Sequence, residues 1–255
     1  MDCSFIAKSG KQTYGIDYFY NGSASKSEKG LEISVIAIVD VDTDQGYTLS
    51  VQQTAAKEAI PVAAKPLKQD KAKPVVQKHT KQSKKASKPG KKSPSIEQEV
   101  TRIDAYLEQL KNTQPHLPKQ VEHVVVDGFY SKKKFVNGVI ELGLHMVGKL
   151  RVDANLRHIF TGEQRRRGAR RKYGDKVDLN HLTGLSWVQD LEPNLKLYTA
   201  MVWHVSLKRQ VRIAYISDTR KPDKVGYVVL FSSDLNLRAY DIYSFYKARF
   251  QIEFI

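Results

Sequence analysis

Between residues 57 and 92 the chain carries twelve lysines, no arginine, no aromatic residue and two acids, Glu58 and Asp70. Pro61, Pro66, Pro74 and Pro89 punctuate the same stretch. A run of this kind repels itself. It offers too little apolar surface to offset the entropy lost when a chain is ordered. Residues 57–94 therefore read as a disordered basic linker. Any packed domain has to be assembled from the two pieces of sequence on either side of it.

The linker holds +10 of the formal net charge of +15. An excess of that size points to a polyanionic partner, most often nucleic acid, and a lysine arm would add phosphate affinity by counterion release without sequence preference. A second basic cluster, over 149–176, has ten basic residues, seven of them arginines, against three acids. Gly162, Gly168 and Gly174 make it a loop. Arginine forks match phosphates and groove edges, so Arg165, Arg166, Arg167, Arg170, Arg171 and Lys172 are candidate DNA contacts. The single cysteine excludes a disulfide framework and any cysteine-rich zinc module. No apolar run approaches the roughly 20 residues of a membrane helix, and no signal-type segment opens the chain, so a soluble intracellular protein is expected.

Residues 2–56 read as the start of an antiparallel sheet, with strands over 31–40 and 47–54 around turn chemistry at 42–46. After the linker, Ser95 and Gln98 fit a capping box. Ile96, Val100, Ile103, Leu107 and Leu110 then form one apolar helical stripe, closed by Pro115 and Pro118. A short apolar strand over 122–126 ends at Asp127, a helix follows over 131–142 with Gly143 as its cap, and another strand covers 145–150. This predicts a strand–helix–strand unit with an acid at the end of its first strand. From 151 to 233 the pattern is β-rich, with strands over 197–205, 210–216 and 225–231. A last helix begins near Tyr240 and is expected to run off the end of the chain.

In that helix Tyr246, Arg249 and Glu253 would lie within about 60° of one another. Asp2 stands at the start of the first strand. Acids at strand ends together with one on a helix can converge on divalent ions, and magnesium takes oxygen ligands of this kind. Two such ions can serve phosphodiester chemistry. The seven histidines show no metal spacing, and Cys3 has no triad-like partner.

Asp2, then Asp127-Gly128-Phe129-Tyr130, then Tyr246-x-x-Arg249-x-x-x-Glu253 resemble the DDE insertion-sequence transposases with the Tyr-Arg-Glu-Lys signature. Further text of the same kind is Lys8-Ser9-Gly10, Lys29-Gly30-Leu31-Glu32 and Phe231-Ser232-Ser233-Asp234. The resemblance implies an α/β, RNase H-like mixed-sheet core: first strands over 1–56, core continued over 95–150, a β-rich insertion over 151–233 and a Glu-bearing helix over 234–255. It implies metal-dependent DNA cleavage and strand transfer in cut-and-paste transposition, on element ends and target DNA. Asp2, Asp127 and Glu253 would be the catalytic, metal-holding acids, with two Mg2+ ions or Mn2+ in their place. Arg249 and Tyr246 would hold the DNA strand, and Trp187 or Trp203 could stack on a displaced base. Self-association in a DNA complex and a cytoplasmic, nucleoid-associated location in a prokaryote are further implications. The signature lysine would fall past Ile255 and an end-binding region would precede Asp2, so a fragment inactive by itself is expected. A non-catalytic basic nucleic-acid-binding remnant, or an RNase H-like nuclease of another class, is the alternative.

Overall fold

The computed structural model describes residues 1–10, 12–54, 101–221 and 226–254. The linker prediction, and the capping box at Ser95, lie outside the described residues. The fold is mixed α/β, with few helices and a sheet holding both parallel and antiparallel pairs.

Four strands come first: β1 (Asp2–Ala7), β2 (Asp17–Asn21), β3 (Lys26–Asp40) and β4 (Gln45–Gln53). All pair antiparallel with the long β3, β1 along one edge, β2 and then β4 along the other. The β3–β4 turn forms where expected. Asp40 accepts from the N–H groups of Asp42 and Thr43, and Asp44 takes the left-handed conformation (φ 53°). The strand β2 was not foreseen. Phe19 is buried between the exposed Tyr18 and Tyr20, and three aromatics in a row do not reveal which face is apolar.

Helix α1 (Arg102–Thr113) opens on Thr101, whose N–H and hydroxyl both donate to Asp104 Oδ2 at 2.8 Å. Its apolar stripe buries Ile103, Tyr106 and Leu110. The helix is fastened to β3 by a buried carboxylate: Glu32 accepts from the Tyr106 hydroxyl (2.5 Å) and from Arg102 (3.4 Å). The strand–helix–strand unit is present as β5 (His123–Val125), α2 (Lys133–Glu141) and β6 (His145–Lys149), with β5 and β6 parallel. Gly143, at φ +76°, ends the α2 turn as anticipated.

Six further strands follow: β7 (Leu156–Ile159), β8 (Tyr173–Lys176), β9 (Ser186–Glu192), β10 (Leu195–His204), β11 (Arg209–Asp218) and β12 (Gly226–Ser232). β12 pairs with β6, so this β-rich region continues the same sheet in the order β5-β6-β12-β11-β10-β7-β8, with β9 also on β10. The backbone nitrogen of Met1 donates to the Val125 carbonyl at 3.0 Å, which sets the start of β1 beside the end of β5.

The sheet has two covered faces. α1 and α2 bury one, where Phe135 and Val139 of α2 share a cluster with Met146, Ile213 and Phe231 of the sheet. Helix α3 (Ala239–Ala248) covers the other, over Val147, Leu197, Ala214 and Leu230. The chain end departs from expectation. The α-helix stops at Ala248, and Arg249–Phe254 continues as a 3-10 helix.

Candidate active site

Alternation along the strands assigns each acid its side. Cys3 packs into the cluster beneath α1 and α2, so its neighbour Asp2 projects to the α3 face. Val125 packs into the cluster beneath α3, and Asp127, two residues on, follows the same direction. The two acids thus leave adjoining strand ends on the same side, although they stand 125 positions apart in the sequence.

Arg249 comes to meet them. It begins the 3-10 segment after α3, is buried, and donates from Nη1 to Asp2 Oδ2 at 2.7 Å. Its guanidinium lies 4.6 Å from the Phe250 ring centroid and 5.5 Å from that of Tyr246. Its Nε is buried without a hydrogen-bond partner. The other oxygen of Asp2 accepts from the Cys3 N–H at 2.9 Å. Asp127 caps the 3-10 turn Gly128–Tyr130 by accepting from the Phe129 N–H at 2.8 Å. Burial pushes the Asp127 carboxyl above its ordinary range, and the negative charge of Asp2 adds to the rise. The Phe129 N–H and the Arg249 charge oppose it. Burial likewise pushes the Tyr246 hydroxyl up.

Two carboxylates and a tyrosine with an arginine are therefore gathered, and Glu253 is not. Glu253 is exposed in the 3-10 tail. The reason is helical pitch. Four residues advance about 400° in an α-helix, leaving Glu253 about 40° from Arg249, but about 480° in a 3-10 helix, leaving it about 120° away. Among the described residues, no group of three or more His, Cys, Asp or Glu is close enough to hold a metal ion. The donor set fits a hard divalent cation in kind, since Asp2 and Asp127 offer only oxygen. At present the guanidinium of Arg249 supplies the positive charge that Asp2 faces.

Lys132 belongs to the same neighbourhood and went unnoticed in the sequence. Its ammonium lies 3.8 Å from the Phe129 ring centroid, and its charge acts on Asp127. The signal available was a lysine two residues beyond the Asp-Gly-Phe-Tyr motif. The arginines at 165–171 and Lys172 lie apart from these acids, in the exposed loop between β7 and β8. Trp203 rests in a stack with Tyr173, and Trp187 is 60% exposed with its indole N–H donated to Asp190.

The family model described as DDE superfamily endonuclease matches residues 1–209 of the 255. The chain belongs to that family. The match includes both aspartates and ends before Tyr246, Arg249 and Glu253, so it supports a DDE transposase-type protein without reaching the Tyr-Arg-Glu segment. No curated protein matches the chain. No helix of the described residues is long and apolar enough to cross a membrane.

Proposed function

We propose that the chain is the catalytic core of a DDE transposase with an RNase H-like fold, which cleaves DNA at element ends and joins the freed 3′ end to target DNA. The observation that carries this reading is the meeting of Asp2, Asp127 and Arg249 on one face of the sheet. The described residues in between form two sheets and the helices packed on them.

Asp2 and Asp127 would hold the divalent ions, two Mg2+ with Mn2+ as a substitute, and Glu253 would be the third acid. An α-helical last turn would return Glu253 to within about 40° of Arg249. The ions, when bound, activate the attacking oxygen and stabilise the leaving one. The protein's own contribution is positional. The Phe129 N–H fixes the Asp127 rotamer, and the Cys3 N–H fixes Asp2. Arg249 and Lys132 supply positive charge beside the acids for a DNA phosphate, and Tyr246 lines the same edge. DNA is the substrate, with self-association of two copies around paired element ends.

The test is Mn2+ binding followed by magnetic resonance, together with Mg2+-dependent nicking of DNA. Both should be present in the wild type and lost in Asp127→Asn. A second reading has a specific observation behind it. Arg249 neutralises Asp2 and Glu253 faces outward, as in a basic DNA-binding remnant without catalysis. Binding of DNA with no nicking, unaffected by Asp127→Asn, would support that reading instead.

A further inference from the structure

On the α3 face, beyond the reach of α3 itself, strands β10, β7 and β8 carry a second group of side chains. Leu197 packs under α3, so Met201 and Trp203 project to the same side of β10. Arg157 stands opposite Trp203, and Tyr173 stands opposite Ile159 on the next strand. The group therefore shares a face with Asp2 and Asp127.

Its parts are interlocked. The Tyr173 and Trp203 rings stack, with centroids 6.0 Å apart and planes 28° from parallel. The Arg157 guanidinium lies 5.5 Å from the Tyr173 centroid and the Lys172 ammonium 5.4 Å from the Trp203 centroid. Arg171 lies 4.7 Å from the Phe160 centroid and donates to the Tyr173 carbonyl at 3.1 Å. The loop behind them is pinned by Gln164, whose side-chain amide donates to the Arg171 carbonyl (2.7 Å) and accepts from the Arg171 N–H (2.8 Å). Arg157, Arg170, Arg171 and Lys172 line an open cleft of about 380 Å³ with Tyr173 and Gly174.

Charge decides what the cleft takes. Three exposed arginines elsewhere on the surface pair with a carboxylate: Arg151 with Asp153, Arg220 with Asp218, Arg238 with Asp241. Among the described residues, none of the four cations lining this cleft has a carboxylate within ion-pair distance. Three of the four, Arg157, Arg171 and Lys172, are held in place by rings, and the two arginines also by the carbonyls of Gly174 and Tyr173. With most of their N–H groups unused, they and the exposed Arg170 form a preorganised anion site. The rings are engaged already, Trp203 by Tyr173 and Lys172, so they support the cations and do not form an empty slot for a base.

We propose that this cleft is a phosphodiester clamp for the backbone of a DNA duplex lying on the face that carries Asp2 and Asp127. The assignment rests on the function proposed above, and names a second anchoring point for the same substrate. It is a fixed site on the folded sheet, so it sets the duplex's orientation as well as adding affinity.

The experiment measures affinity of the full chain for a short DNA duplex by fluorescence anisotropy over a range of salt concentrations. The variants are Arg157→Gln, Arg170→Gln, Lys172→Gln and their triple combination. Lys111→Gln, an exposed charge on α1 across the sheet, is the control. Each cleft charge removed should flatten the slope of log affinity against log salt by about 0.9, and the triple variant should bind tenfold or more weakly at low salt. Lys111→Gln should leave the slope alone, and melting temperatures should match within the set. Equal slope changes from Lys111→Gln, or unchanged slopes in the triple variant, would overturn the clamp. So would preferential binding of an RNA hairpin. An unpaired 2-aminopurine whose fluorescence is quenched by the wild type, and restored by Trp203→Leu, would also overturn it by showing a base-stacking slot. Nicking that still depends on Asp127 in the face of any of these results would leave the proposed function standing. No DNA binding by the wild type would end both.

Discussion

Replacing Arg249 by Met removes the charge that faces Asp2 while keeping an unbranched apolar stem against Tyr246 and Phe250. The pair is largely withdrawn from water, with side-chain exposures of 8% for Arg249 and 23% for Asp2. Breaking a fully buried ion pair costs roughly 3–5 kcal/mol because one charge is left without compensation. Asp2 keeps some contact with water, so about 2 kcal/mol is the appropriate figure here. For a chain of this size that lowers the melting temperature by roughly 4–8 °C. The same substitution should strengthen divalent-ion binding. If the pair must open before Asp2 can accept a metal, 2 kcal/mol weakens the wild type's apparent affinity by up to about thirtyfold, since each 1.4 kcal/mol is a factor of ten. Metal at a hundred times its dissociation constant then restores about 2.7 kcal/mol to the variant, enough to erase its deficit. The assay is thermal melting with and without Mg2+ or Mn2+, with calorimetry of Mn2+ binding, on the wild type, Arg249→Met and Arg249→Lys. A variant as stable as the wild type without metal, or one that binds Mn2+ no more tightly, would refute the idea that Arg249 stands in for a cation.

Other outcomes follow from particular contacts. Asp104 is held at about 2 by Lys134 and by the Thr101 N–H and hydroxyl, so the stability it lends is complete above pH 4 and lost as pH falls through about 2. Exposure limits it to about 1 kcal/mol, and Asp104→Asn should flatten that part of an acid-denaturation curve. His204 is buried and accepts from the Leu207 N–H at 3.3 Å, and burial lowers its pKa. The unfolded chain therefore binds the proton more readily, and stability should decline as pH drops below about 6.5. His204→Asn, which keeps an acceptor but does not titrate, should remove that slope in urea titrations at pH 5 and 7. Gly30 admits no side chain, because a Cβ there would sit 2.4 Å from the Ile6 carbonyl oxygen and 2.5 Å from the Phe5 ring. Gly30→Ala should cost about 2 kcal/mol or more by urea unfolding.

Local patterns already determined much of this molecule. The 3.6-residue stripe of α1, the turn at 42–46, the strand–helix–strand unit and the αL cap at Gly143 are written in neighbouring residues, and the order of Asp2 and Asp127 at strand starts and ends could be read from the same patterns. The strands β10, β11 and β12 were also legible, but not β7, β8 and β9, nor that β12 would pair with β6 and make that region one sheet with β5. Strand pairing is a choice among distant partners, and alternation alone does not name them. The candidate site shows the same division. Residue types and spacings brought Asp2, Asp127, Tyr246, Arg249 and Glu253 under consideration together. Only the tertiary structure put Arg249 on Asp2, 247 residues away in sequence. It also tightened the last turn into a 3-10 helix and carried Glu253 off the shared face. A helix's face is fixed by its pitch, and the pitch of a final turn is set by what that turn packs against. No sequence window contains that information, because the packing partners of Arg249–Phe254 lie on β3 and β4, some 200 residues earlier.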